Sequence, residues 1–333
     1  MAKIRIIDTT LRDGSHAVHH QYTPEQIRGI CSGLENAGVY AAEVGHGAGL
    51  GGSVIQYGLG KHTDRELLSA ARSVLTNTKL AALLIPGLST MDDLREAVDC
   101  GLDVVRIASH CSEMDVCEQH IQLAKKIGLE TIGFFMMSHM ISTEELAEQA
   151  KMVEGFGADV IYFADSSGHM TPQNVRERTR ALRKAVQVPI GIHTHNNLGL
   201  GIGNAVAAIE AGALYADSTI DGLGAGCGNA NTQALAAVLD RMGIECGVDF
   251  YELTDVSENV IQIMKQHSLE ITNEAIMLGH TGIYSSFYLH VMNAAKKFNL
   301  KPKDIFDELG RRKVVGGQED QIIDICYNVL GAK

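Results

Sequence analysis

The chain has 333 residues and a formal charge of −12, long enough to bury a substantial core unaided and too acidic for a nucleic-acid backbone to be its main partner, since it has no positive excess to displace counterions. Its seven cysteines are scattered, odd in number and without a C-x-x-C pair, which fits reduced thiols in a cytoplasmic protein and argues against a structural zinc site. No apolar run approaches the roughly 18 residues of a membrane span and no leader-like apolar segment opens the chain, so a soluble protein is expected.

Short β-rich runs alternate with amphipathic stretches of helical length, as in a parallel sheet built from βα units. Strands are expected over 4–8, 41–45, 80–85, 104–109, 131–135, 160–165, 189–195 and 216–221, with helices over 23–37, 63–73, 90–99, 117–127, 143–156, 171–185 and 201–211. Thr23-Pro24-Glu25-Gln26 and Thr171-Pro172-Gln173-Asn174 are helix starts in which threonine caps and proline takes the first helical position. Gly38, Gly101, Gly128, Gly157 and Gly212 fall just past helices, where a left-handed residue is wanted. Eight units in about 245 residues match a (β/α)₈ TIM barrel. An open doubly wound sheet is the alternative, weakened because the segment after the first strand is not G-x-G-x-x-G. Beyond residue 250 the β runs stop and helices are expected over 256–267, 286–298, 302–308 and 319–329. The expected division is a catalytic barrel over 1–250 and a small C-terminal helical extension over 251–333 that contributes to the active site and to partner contact.

Polar residues fall repeatedly at the C-terminal ends of the expected strands, where barrel enzymes keep their chemistry. Strand one leads to Arg12, Asp13 and His16, strand two to Glu43 and His46, strand four to Arg106 and His110, strand six to Asp165 and Ser166, and strand seven to His193 and His195. His193 and His195, two apart on a strand, project to one face. With Asp13 they make a carboxylate-plus-two-imidazole set suited to six-coordinate Mn²⁺, with Mg²⁺ or Co²⁺ as substitutes and zinc as second choice. The same donor set serves non-haem iron oxygenases, which makes redox chemistry the competing class. Arg12 offers a permanent positive charge to a developing oxyanion, and its plainer reading is an ion pair with Asp13. A proton-transferring histidine is expected in His16-Ala17-Val18-His19-His20, but the pattern does not choose among the three. His46, His62 and His110 have plain loop-bonding readings of equal weight. The glycine-rich segment from Gly222 to Asn231 is either an anion-binding or closing loop or a tight connection, Cys227 within it is a weak nucleophile candidate, and the run over 134–140 reads as barrel lining.

Several segments together resemble the 4-hydroxy-2-oxovalerate aldolases, a family of the metal-dependent lyase superfamily that also holds isopropylmalate synthase, homocitrate synthase and hydroxymethylglutaryl-CoA lyase. They are Thr10-Leu11-Arg12-Asp13-Gly14-Ser15-His16-Ala17, Phe135-Met136-Met137-Ser138-His139-Met140, Ala164-Asp165-Ser166, His193-Thr194-His195-Asn196-Asn197-Leu198, Gly282-Ile283-Tyr284-Ser285-Ser286-Phe287 and Val315-Gly316-Gly317-Gln318-Glu319-Asp320. The resemblance implies class II retro-aldol cleavage of 4-hydroxy-2-oxopentanoate to pyruvate and acetaldehyde through a metal-stabilised pyruvate enolate. It implies Mn²⁺ on Asp13, His193 and His195, His16 as base for the C4 hydroxyl, Arg12 on the enolate, Ser166 at the oxo acid and Tyr284 orienting the hydroxyl. It also implies an acylating acetaldehyde dehydrogenase partner in a heterotetramer. An acyl-CoA condensing synthase or lyase of the same superfamily, or an aldolase for a longer aldehyde, is the alternative. Where that family reads H-G-D-G after strand two, this chain reads His46-Gly47-Ala48-Gly49, a departure that bears on aldehyde preference.

Overall fold

The computed structural model describes residues 3–264, 270–329 and 331. Eight parallel strands close a barrel in chain order: β1 (Arg5–Leu11), β2 (Ala41–Val44), β3 (Lys79–Leu84), β4 (Val104–His110), β5 (Glu130–Met136), β6 (Val160–Asp165), β7 (Ile190–Thr194) and β8 (Tyr215–Ser218). The helices that follow them are α1 (Pro24–Ala37), α2 (Asp64–Arg72), α3 (Met91–Asp99), α4 (Glu118–Ile127), α5 (Thr143–Phe156), α6 (Pro172–Ala185), α7 (Gly201–Ala211) and α8 (Thr232–Arg241). After them come α9 (Phe250–Met264), α10 (Asn273–Thr281), α11 (Phe287–Phe298), α12 (Pro302–Arg312) and the short α13 (Asp320–Asp324), which runs on into a π-helical turn over Ile325–Val329.

Local sequence accounts for the helix ends. Thr23 and Thr171 each accept a hydrogen bond from the backbone N–H three residues on, while Gln26 and Asn174 reach back to the cap, and each helix begins with proline. Gly38, Gly128, Gly157 and Gly212 close their helices in the left-handed region as expected.

Strand composition follows from burial on both faces, which removes any need for polar alternation. Ile7, Val104, Ile132, Val160, Tyr162 and Ala164 fill the barrel interior, and the residues between them in the strands, such as Ile6, Val105, Ile161 and Phe163, face the helices. This parity decides where charge goes. Arg106 lies in step with Val104 and Ala108, and Glu43 in step with Ala41, so both turn inward and are fully buried.

Helix α9 belongs by packing to the barrel side, because Leu253 and Val256 are buried in the same core as α1. Residues 265–267 of the helix expected over 256–267 lie outside the described residues. A separate core of Leu278, Phe287, Val291, Ile305, Phe306, Leu309 and Ile325 holds the elements from α10 onward. Each of its large side chains contributes about 1.5–3 kcal/mol by burial. Helix α10 was not among the expected helices, and it carries Gly279, a weak helix former, in its interior. In the fold that glycine is a contact point: a Cβ there would lie 2.8 Å from Leu198 Cγ.

Candidate active site

The barrel mouth gathers side chains from five strand ends and from the extension. Arg12 and Asp13 follow β1, where the pairing with β2 shifts register between Asp8 and Leu11. Asp13 then starts a short 3₁₀ turn over Asp13–Val18. His193 is in β7 and His195 directly after it; their Nε2 atoms are 3.3 Å apart. Ligand atoms of Asp13, His193 and His195 all lie within 4.8 Å of one another, and all three residues are buried.

This donor set fits a divalent cation. His193 donates its Nδ1–H to Asp217 Oδ2 at 2.8 Å, which fixes the tautomer and leaves the Nε2 lone pair for a metal. Burial lowers the His195 pKa to about 3, so that ring is neutral and ligand-competent. Burial opposes ionisation of Asp13, but Arg12 and then the histidines outweigh it and hold the carboxyl below the usual range. One Asp13 oxygen takes Arg12 Nη1 at 2.8 Å; the other takes Asn229 Nδ2 at 2.6 Å and the Ala225 N–H at 3.4 Å.

The glycine-rich segment therefore serves a resident carboxylate. A Cβ on Gly224 would stand 2.4 Å from Asn229 Nδ2 and 2.8 Å from Asp13 Oδ2, so only glycine lets this loop close on Asp13. Cys227 sits in it with Sγ 3.1 Å from the Asn196 carbonyl, and burial raises its thiol to about 11. It is not a thiolate at neutral pH.

Arg12 donates Nε to Glu43 Oε2 at 2.8 Å and Nη1 to Asp13, while its Nη2 has no hydrogen-bond partner among the described residues. The ion-pair and oxyanion readings of this residue are thus compatible. Of the three clustered histidines, His19 is exposed and His20 Nδ1 is 2.9 Å from Ser15 Oγ. The His16 ring stands edge-on to His20 with centroids 5.0 Å apart. Burial lowers the His16 pKa, Asp13 partly opposes this, and Arg12 adds to it, so the ring is a neutral base beside the donor set. The three loop histidines take their plainer readings. His46 accepts the Ala48 N–H at Nδ1 and donates Nε2–H to the Gly58 carbonyl at 3.0 Å. His110 meets Ser112 and His62 meets Glu66.

Ser166 is buried; its Oγ accepts the Met137 N–H at 3.0 Å, leaving its own proton to give. Met137, in the left-handed region at φ 55, closes the run that lines the mouth. Asp165, by contrast, is a loop cap: it accepts from the His169 and Met170 backbone and from Asn204, and burial raises it to about 7. Tyr284 arrives from the segment between α10 and α11, its hydroxyl 3.9 Å from Met136 Sδ. Burial, followed by the Asp13 charge, pushes it up to about 12, so it is a protonated donor.

Sequence reasoning missed Asp217, Asn229, Asn197 and Ser285. A carboxylate inside the buried β8 run was the available signal for Asp217. Asn197 donates to Ser285 Oγ and to the Ser167 carbonyl and accepts the Cys227 N–H, and Ser285 donates to the Ser166 carbonyl at 2.7 Å. This net fastens the extension over the mouth, and no periodicity forecasts it.

Residues 3–260 match the HMGL-like family model. A curated 4-hydroxy-2-oxovalerate aldolase from Carboxydothermus hydrogenoformans is 53% identical over 99% of this chain and 98% of its own length. One from Moorella thermoacetica is 52% identical over 98% of this chain and 96% of its own length. The chain belongs to the 4-hydroxy-2-oxovalerate aldolase family. The membership extends through the part that carries Tyr284 and Ser285, since residues 269–330 match the model of a DmpG-like communication domain. Among solved structures, the N-terminal domain of a putative aldolase from Bacteroides vulgatus aligns with TM-score 0.76 at 25% identity, covering 89% of this chain and 98% of that one. A carboxyl transferase domain of Rhizobium etli pyruvate carboxylase aligns at TM-score 0.84 and 17% identity, over 98% of this chain and 60% of that one, and shows the shared fold. Among the described residues no helix is long and apolar enough to cross a membrane, and all seven cysteines are free and buried.

Proposed function

We propose that this enzyme cleaves 4-hydroxy-2-oxopentanoate to pyruvate and acetaldehyde by a class II retro-aldol reaction. The observation that carries the reading is the meeting of Asp13, His193 and His195 with Arg12 and a neutral His16 in one buried mouth. Asp13, His193 and His195 would hold the divalent cation, and Mn²⁺ suits their mixed oxygen and nitrogen donors; when bound it supplies Lewis acidity at the 2-oxo group.

The chain's own groups account for the rest. Ser166 donates its hydroxyl proton to the oxo acid, and Tyr284 donates to the C4 oxygen and orients it. His16 takes the proton from the C4 hydroxyl. As the C4 carbonyl forms, the C3–C4 bond breaks and its electron pair passes to C3, giving acetaldehyde and the pyruvate enolate. The Nη2 of Arg12, without a partner among the described residues, meets the charge on the enolate oxygen, worth roughly 10²–10³ in rate for a well-aimed donor. Protonation at C3, balanced by release of the proton that His16 took, completes pyruvate and restores the neutral ring.

The communication-domain match over residues 269–330 supports delivery of acetaldehyde to an acylating acetaldehyde dehydrogenase in a cytoplasmic heterotetramer; of the expected extension 251–333, the elements from α10 onward are the unit that carries both Tyr284 and the partner contact, since α9 packs on the barrel. The exposed Ile276, Ile323 and Tyr327 give that surface apolar side chains for a partner to cover.

Pyruvate release from racemic substrate, with Mn²⁺ or with chelator, tests the reading. Mn²⁺-dependent pyruvate is the expected result; no pyruvate from metal-loaded protein, whether given 4-hydroxy-2-oxopentanoate or a homologue that would release a longer aldehyde, would overturn it. His16→Ala should lower cleavage far more than pyruvate enolisation, and equal loss of both would remove His16 as the hydroxyl base.

A further inference from the structure

Beneath the mouth, Arg106 occupies the barrel interior with no exposure to solvent. Its Cζ lies 4.6 Å from the ring centroids of both Phe134 and Tyr162. Nη1 donates to Glu43 Oε2 at 3.1 Å and Nη2 to Asp217 Oδ2 at 2.6 Å. Those same two oxygens hold the site: Glu43 Oε2 accepts Arg12 Nε, and Asp217 Oδ2 accepts His193 Nδ1–H, each at 2.8 Å. Asp13, Arg12, Glu43, Arg106, Asp217 and His193 thus form one chain of alternating charge that returns to the donor set at its far end.

Buried ion pairs of this kind are poor stabilisers, since desolvation offsets their attraction and an apolar filling is often as stable. What the planar guanidinium adds is direction. It spans two carboxylates with fixed geometry, which a lysine ammonium does not reproduce, and the two aromatic faces keep it from turning. The geometry points to Arg106 as a positioning residue that sets the orientation of the ligand His193 and of Arg12 together, so that the cation site and the oxyanion donor keep a constant relation. Arg106 hydrogen-bonds Glu43 and Asp217 and none of the three donor residues, so it acts through others, and the inference rests on the proposed aldolase reading.

The test is Mn²⁺ titration of the full chain, read from the spin-resonance signal of free Mn²⁺, with kcat and KM for 4-hydroxy-2-oxopentanoate measured alongside. Arg106→Lys should weaken Mn²⁺ binding by about 10–100-fold, the usual range for loss of an outer-shell partner, and lower kcat through the misaligned Arg12, whose charge acts on the developing enolate. Asp217→Asn should weaken the metal by a similar factor, and the double variant should be no weaker than the worse single one, because both act through one contact. Phe134→Leu, which loosens the sandwich without removing a charge, should move affinity in the same direction by a smaller factor; Ile132→Val, an interior volume loss off the chain of charges, should leave it unchanged. A folded Arg106→Lys with wild-type Mn²⁺ affinity and kcat overturns the inference. If Arg106→Lys fails to fold, equal effects of Phe134→Leu and Ile132→Val overturn it instead. Absence of pyruvate from wild type would remove the aldolase reading alone, since metal affinity is measured without turnover.

Discussion

The two ends of the barrel carry charge in opposite ways. At the floor, Lys79 and Tyr40 both bond Glu130 Oε2 at 2.5 Å, Tyr215 reaches Glu130 Oε1 at 3.2 Å, and Arg5 bonds the Tyr215 hydroxyl and lies over the Tyr40 ring. Every polar atom of this cluster that is buried has a partner. At the mouth and just below it, Glu43 Oε1, Arg106 Nε, His195 Nδ1 and Asn229 Oδ1 are buried with none among the described residues. A buried polar group needs a partner or costs roughly 1–3 kcal/mol, so these atoms at the mouth are the donors and acceptors that a bound ion, ligand or water would meet. The floor closes a barrel; the mouth is prepared for something to be bound. Unsatisfied atoms, more than the number of charges, separate the two.

Four experiments would sharpen or break that contrast. Asp13→Asn takes an anionic donor from the mouth and should lower Mn²⁺-dependent cleavage by roughly 10³-fold or more, checked by steady-state pyruvate release; near-normal activity would place the cation elsewhere. Glu43→Gln leaves two buried guanidinium groups short of a counter-ion and should destabilise the fold by about 3–5 kcal/mol in urea unfolding.

The third is a pH dependence. Burial lowers His46 from 6.5 to about 4, so at intermediate pH the unfolded chain binds the proton that the folded chain refuses. Its contribution to stability is therefore complete above pH 6.5 and lost as pH falls towards 4, on the order of 3 kcal/mol in all. His46→Gln should flatten that slope relative to wild type, and parallel slopes would show that other buried groups cause it. The smallest effect belongs to the floor: Glu130→Gln should change stability by about 1 kcal/mol or less and leave kcat/KM unchanged. A loss as large as that of Glu43→Gln would erase the distinction between the two ends.

Much of this was legible along the chain. Alternating βα units, threonine-proline helix starts and glycines after helices are local signals, each arising from the backbone's demand for partners at its ends, and they led to the closed barrel. The pair His193 and His195 was legible because a strand's period of two places them on one face, and Asp13 and Arg12 because they follow a strand. The pattern of residues left His16, His19 and His20 equivalent and only the family resemblance pointed to His16; the fold shows that each ring meets something different. Asn229 is silent in sequence for the same reason, and Asp217 offered only the signal of a carboxylate within a buried strand.

The sequence by itself determined the order of the elements, which faces are buried and which residue types reach the strand ends, because these depend on hydrogen bonding and hydropathy over a few residues. Only the tertiary structure decided that Glu43, Arg106 and Asp217 join Arg12 to His193, and that Ser285 and Asn197 bring Tyr284 to the mouth. Those contacts link residues up to 119 positions apart, as between Ser166 and Ser285, and depend on barrel closure and interior parity, which place side chains with no local relation within hydrogen-bonding distance.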